Sequence, residues 1–204
     1  SFTPQIEIWN LDILNVIEPE MILGLPANGP NSQLQNSNLV HSDAVMSISL
    51  NGVNSNIVAS SGADSKILLW DLNANPQQAA VSFNEHTNKV QAVRWNKCED
   101  NILASGAFDK TIKLFDCRQK TSSATIKVNS DIESLDWSSI NKFLFLASFE
   151  DGRIDLVDIR KFENVFSFTA HKKECTSVSF SPQNENLFVS VGRDCRIKVW
   201  NSAT

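Results

Sequence analysis

The sequence predicts an all-β protein assembled from repeated antiparallel sheets, and three observations carry that prediction. First, five pentads end alike: IEIWN (6–10), ILLWD (67–71), IKLFD (112–116), IDLVD (154–158) and IKVWN (197–201). Their fourth positions, Trp9, Trp70, Phe115, Val157 and Trp200, are spaced by 61, 45, 42 and 43 residues. A fixed period of this size marks a repeat architecture. Second, an aspartate stands six residues before each of the last four (Asp64, Asp109, Asp151, Asp194), and 23 residues before each aspartate stand His41, His86, Val128 and His171. All three histidines therefore fall in one column. Third, segments such as VQAVRW (90–95) and TIKLFD (111–116) alternate with period two, and turn formers such as NKCEDN (96–101) and SPQNEN (181–186) separate them. That is the pattern of short strands, with no helical period.

Taken in order, residues 1–25 read as a partial unit around IEIWN. The stretch PANGPNSQLQNSN (26–38) accounts for the long first gap. Rich in Asn, Ser, Gly and Pro, it reads as a flexible loop. Residues 39–83, 84–126 and 127–169 are whole units, and 170–204 is a second partial one. The chain opens inside a strand-like pattern, which implies further sequence upstream. Its first residues, SFTPQIEIWN, lack the basic start and apolar run of a signal peptide.

Composition narrows the function classes. The chain has 204 residues, of which 42% are hydrophobic and 20% charged, as in an ordinary globular domain. A formal charge of −5 suits a general nucleic-acid binder poorly, because phosphate contacts need clustered cations. Lys172, Lys173, Arg193, Arg196 and Lys198 read as a solvated face. No apolar run approaches the roughly 18 residues of a membrane-spanning helix. Cys98, Cys117, Cys175 and Cys195 form no CxxC pair. They read as reduced thiols of an intracellular protein and not as a zinc site.

A period near 43 residues, several strands per unit and a Trp-Asp ending resemble the WD repeat of β-propellers. The resemblance covers nearly the whole chain. It implies an all-β WD-repeat β-propeller, here a partial ring with three whole blades and two partial terminal blades, where a closed ring commonly takes about seven. His41, Ser60 and Asp64 could pass for a catalytic triad, but the set recurs as His86, Ser105, Asp109 and as His171, Ser190, Asp194. A nucleophile site is not built three times. The resemblance implies a structural network instead, running from Asp to His to Ser to the Trp N–H, with Trp70 and Trp200 as its indole members. In the unit with Val128, Ala147 and Val157, the His, Ser and Trp have gone together. A half-satisfied buried network is worse than none, so this blade is expected to lack the hydrogen bonds and keep its fold. Asp151 remains because it forms a turn with Gly152. All five tryptophans sit in repeat columns and are expected in the core.

Finer residues narrow the family. FTPQIEIWNLDILNVIEPEMILG (2–24), SGADSKILLWDL (61–72), LFDCR (114–118) and LASFEDGRIDLVDIR (146–160) resemble the periodic tryptophan protein 1 family. The chain departs from it at 26–38, where relatives carry a lysine-rich loop. The resemblance implies a non-enzymatic nuclear or nucleolar scaffold in ribosome biogenesis, serving ribosomal RNA processing and large-subunit assembly. It also implies a second reading, a chromatin-associated reader of histone tails. No cofactor or metal is implied. By the same resemblance three positions per blade face partners: Ala44, Met46, Ala63; Lys89, Gln91, Phe108; Asp131, Glu133, Glu150; and Glu174, Thr176, Arg193. The candidate peptide-binding set is Lys89, Phe108, Asp131, Glu133, Glu150, Glu174 and Arg193. Carboxylates beside an aromatic suit a Lys- or Arg-bearing segment of a ribosomal or assembly protein, or a histone tail.

Overall fold

The computed structural model describes residues 4–12, 18–24, 39–74, 77–119 and 121–203. The 26–38 stretch lies outside them. Seventeen strands and no α-helix occupy the described residues. A short pair comes first, β1 (Ile6–Ile8) with β2 (Met21–Leu23). Three four-stranded antiparallel sheets follow: β3 (Val45–Leu50) to β6 (Val81–Phe83), β7 (Val90–Trp95) to β10 (Ser122–Lys127), and β11 (Ile132–Trp137) to β14 (Glu163–Thr169). A three-stranded sheet ends the chain, β15 (Cys175–Phe180), β16 (Leu187–Gly192) and β17 (Arg196–Asn201).

Within each sheet the strands pair in chain order. The first strands, β3, β7, β11 and β15, pack one against the next, so the sheets stand as blades about an axis. Each junction has its own core. Leu69, Phe83, Trp95 and Phe115 fill the first between four-stranded blades; Trp137, Phe145 and Leu114 fill the second; Leu156, Phe180 and Phe188 fill the third. The second strands, β4 (IVASSG), β8 (ILASGA) and β12 (LFLASF), are buried on both faces. A strand sandwiched near the axis between two neighbouring sheets has little room, which explains its small Ala, Ser and Gly residues.

The register shifts at the start of every first strand, between Val45 and Ser47, Val90 and Ala92, Ile132 and Ser134, and Cys175 and Ser177. One residue is left over each time: Met46, Gln91, Glu133 and Thr176. A bulge re-aims the side chain it carries, here toward the face that bears the histidine loops.

Trp70, Trp95 and Trp137 are buried as expected, but Trp200 is only half-buried, and Trp9 is 43% exposed and donates to Glu7. β1 and β2 pair with each other alone, so no neighbouring strand covers that indole.

Candidate functional site

The histidine column makes the same contacts three times. His41 Nδ1 lies 3.0 Å from Asp64 Oδ1 and its Nε2 lies 2.8 Å from Ser60 Oγ. The equivalent distances are 2.8 and 2.7 Å for His86 with Asp109 and Ser105, and 2.8 and 2.7 Å for His171 with Asp194 and Ser190. An ionised carboxylate only accepts, so Nδ1–H donates to it. Nε2 then accepts from the serine O–H. The serine oxygen is left to accept the indole N–H, at 2.8 Å from Trp70 and 2.8 Å from Trp200. In the blade ending at Phe115 no indole arrives; the ring packs at a 41° tilt against Phe83 instead, with centroids 4.5 Å apart. Each carboxylate also accepts a backbone N–H from the residue after its histidine: Ser42, Thr87 or Lys172. The network thus pins the loop entering the first strand to the turn between the second and third strands.

Burial pushes the carboxyls of Asp64 and Asp109 up, and their hydrogen bonds outweigh it, so both stay below the usual carboxylate value. Asp194 is held low in the same way by His171 and Lys172. Burial drives His86 below the ordinary imidazole value against the opposing pull of Asp109. Ser60, Ser105 and Ser190 have no exposed surface. A hydroxyl that no substrate can reach does not act as a nucleophile, whatever its likeness to a triad.

The blade of Val128, Ala147 and Val157 makes none of these contacts. Asp151 Oδ1 accepts the N–H of Arg153 at 3.0 Å, and Gly152 takes a φ of 83° in the same turn. A further substitution accompanies the three. In two other blades the residue against the imidazole is Gly62 or Gly192, where a Cβ would sit 2.6 Å from His41 Nδ1 or His171 Nδ1, and Ala107 holds the same column in the third. Here that position is Phe149, fully buried, with the Arg153 guanidinium 4.2 Å from its ring centroid. By the column, the Phe149 side chain starts from the position whose Cβ would meet the imidazole in the blades of Gly62 and Gly192.

On the face bearing the histidine loops, a cavity of about 250 Å³ opens between the second, third and fourth blades. Lys89, Phe108, Glu133, Glu150, Glu174 and Arg193 line it, together with Gln91. Asp131 lies outside it, its carbonyl accepting the N–H of Glu150. The carboxylates are less open than the sequence suggests. Lys89 Nζ lies 3.8 Å from the Phe108 ring centroid, and Arg193 Nε donates to Glu174 at 2.9 Å. Glu133 receives only a long contact, 3.4 Å from Gln91 Nε2. Burial, then the charges of Glu174 and Glu150, lift its carboxyl above the usual range despite Lys89 and Arg193. Gln91 Oε1 is buried with no partner among the described residues. The two bulge residues, both in the partner-facing columns of the sequence, therefore give the cavity a carboxylate with one long contact beside an amide whose oxygen is buried without a partner.

Two sequence profiles match the chain: "WD domain, G-beta repeat" over residues 33–71 and 162–201, and the "Anaphase-promoting complex subunit 4 WD40 domain" over 53–141. Radial four-stranded sheets tied by repeated Asp-His-Ser contacts define the class, and the chain belongs to the WD-repeat family of β-propellers. It is 40% identical over its whole length to an uncharacterized WD repeat-containing protein of Schizosaccharomyces pombe, covering 40% of that protein. Over 97% of its length it is 30% identical to the periodic tryptophan protein 1 homolog of Drosophila melanogaster, covering 43% of it. Over 78% it is 31% identical to periodic tryptophan protein 1 of Saccharomyces cerevisiae, covering 22%. Within the class it is a periodic tryptophan protein 1-like WD-repeat chain, and it spans less than half the length of these relatives.

Proposed function

We propose that the chain is part of a non-enzymatic scaffold that docks proteins during ribosome assembly in the nucleus and nucleolus, receiving Lys- or Arg-bearing segments in the cavity around Glu133. The ribosomal setting rests on the resemblance to the periodic tryptophan protein 1 family. The docking mode rests on one observation: Glu133, a partly buried carboxylate beside two others, has no ion pair of its own among the described residues. An incoming ammonium or guanidinium supplies the missing counter-charge.

Binding of an Arg- and Lys-rich ribosomal-protein peptide, followed by fluorescence anisotropy, tests the docking mode. Glu133→Gln with Glu150→Gln should weaken it about ten-fold at low salt, with a smaller loss at high salt. Equal affinity for the two proteins would remove the proposal. Affinity purification tests the setting: pre-ribosomal particles support it, and nucleosomes alone replace it with the histone-tail reading.

A further inference from the structure

The face opposite the histidine loops holds a second cavity that the acidic one does not explain. It measures about 240 Å³ and lies at the junction of the blades β3–β6 and β7–β10. Ile57, Leu69 and Val81 form apolar wall on one side, and Trp95 and Cys117 on the other. Burial and the neighbouring Asp116 push the Cys117 thiol up to about 12, so the wall carries no thiolate at neutral pH. A larger cavity of about 540 Å³, reaching Phe143 in the next blade, shares Asp100, Asn101 and Arg118 with it. The two adjoin at these residues, on one side of three successive blades.

Two features of the adjoining cavities point to an occupant. The first is Trp95. It is 4% exposed, and its indole N–H has no hydrogen-bond partner among the described residues. Trp137 holds the same column one blade on, and its N–H donates to Arg94 O at 3.1 Å. A buried donor without a partner is rare, and its full desolvation cost stands until an acceptor comes. The second is charge. Arg118 is paired with Asp116 and Lys142 with Glu99, while Asp71 and Asp100 at the rim have no ion pair among the described residues.

We propose that the adjoining cavities bind an extended peptide segment of a partner protein, one carrying a large aliphatic or aromatic side chain next to a lysine or arginine. The apolar side chain fills the smaller cavity. Its entry turns the Trp95 ring enough to uncover Nε1–H, which lies beneath the cavity wall in the free chain and then donates to a backbone carbonyl of the peptide. The basic residue lies against Asp71 and Asp100.

The test uses ¹⁵N-labelled chain and N-acetylated tripeptide amides carrying Leu-Arg or Phe-Arg, with Leu-Glu as the control. Trp95→Phe assigns the Trp95 indole signal by its loss. The basic peptides should move that signal saturably, and the Leu-Glu peptide should bind about ten-fold more weakly. Ala80 is exposed and lines the cavity, so Ala80→Trp should block the shift without disturbing the core. Asp71→Asn with Asp100→Asn should abolish the preference for Arg over Glu. An indole signal that no peptide moves, that still moves in the Ala80→Trp protein, or that responds equally to Leu-Glu would overturn the proposal. None of these readouts involves Glu133, so the acidic cavity can fail while this one stands.

Discussion

At the residue scale the Asp-His-Ser contacts make stability depend on pH with a definite sign. The folded-state carboxyls of Asp64, Asp109 and Asp194 lie below their ordinary 3.8. Their contribution is present above that value and is lost as pH falls through the folded values. His86 lies below its ordinary 6.5, so the folded chain resists its protonation. That contribution is full above 6.5 and declines as pH drops beneath it. Asp155 and Glu133 have the opposite sign: burial raises both, Asp155 despite hydrogen bonds from Ser167 and Asn164, and their contributions fall as pH rises through their folded values. The four groups on the losing side in acid outnumber these two. The urea midpoint should therefore hold from neutral pH to about 6.5, decline below, and fall more steeply beneath about 4. Asp109→Asn should cost about 1–2 kcal/mol at pH 7 and flatten the acid limb. A midpoint unchanged between neutral pH and pH 3 would contradict this account.

At the scale of one blade, the relation between Val128 and Phe149 is what sequence columns alone do not reveal. The loss of His, Ser and Trp is legible because each sits in a fixed column. The gain of Phe149 is not, because whether a side chain at that position meets an imidazole is a matter of close contact and not of period. The same limit hid the bulges that turn Gln91 and Glu133 outward, and the Lys89 ammonium lying on Phe108. It also hid Trp95, whose column predicts a core residue and is silent on whether its N–H finds a partner. What the sequence did carry was everything fixed by repetition: strand order within a sheet, the recurrent polar contacts and the blade that lacks them. The exchange can be tested as a cycle. Val128→His alone should destabilise by about 2–4 kcal/mol, since the ring meets Phe149. Phe149→Gly alone should cost about 3–5 kcal/mol through the void it leaves. Together they should recover at least about 1 kcal/mol of the sum, because the new imidazole fills the void and meets Asp151. Strict additivity in urea unfolding would show that the two sites do not share this space.

At the scale of the molecule, the last sheet and the sheet β3–β6 present unlike apolar faces. On the last sheet, Val189 opposes Val199 and Val191 opposes Ile197, and all four are exposed. On β3, Ile48 and Leu50 are exposed, whereas Trp95 and Trp137, in the column of Leu50, are buried against the preceding blade. One surface is thus shaped to receive a following blade and the other a preceding one, where β1 and β2 already cover Val58, Leu68 and Trp70 with Ile6 and Leu23 and leave Ile48 and Leu50 bare. Two such faces on one molecule fit each other between copies and not within one, which makes the contact heterologous. Repeated, such a contact grows into open chains unless its rotation closes a ring. The 204-residue chain on its own should therefore form a ladder of oligomers as its concentration rises, without stopping at a dimer. Ile197→Lys with Val199→Lys should shift it to monomer, and Leu50→Lys should do the same from the other end. A mixture of the two variants should yield dimers and nothing larger, because each molecule keeps one intact face. Sedimentation velocity reads all of these states. A wild-type chain that stays monomeric throughout, or a mixture of variants that forms long oligomers, would show that these two faces are not partners.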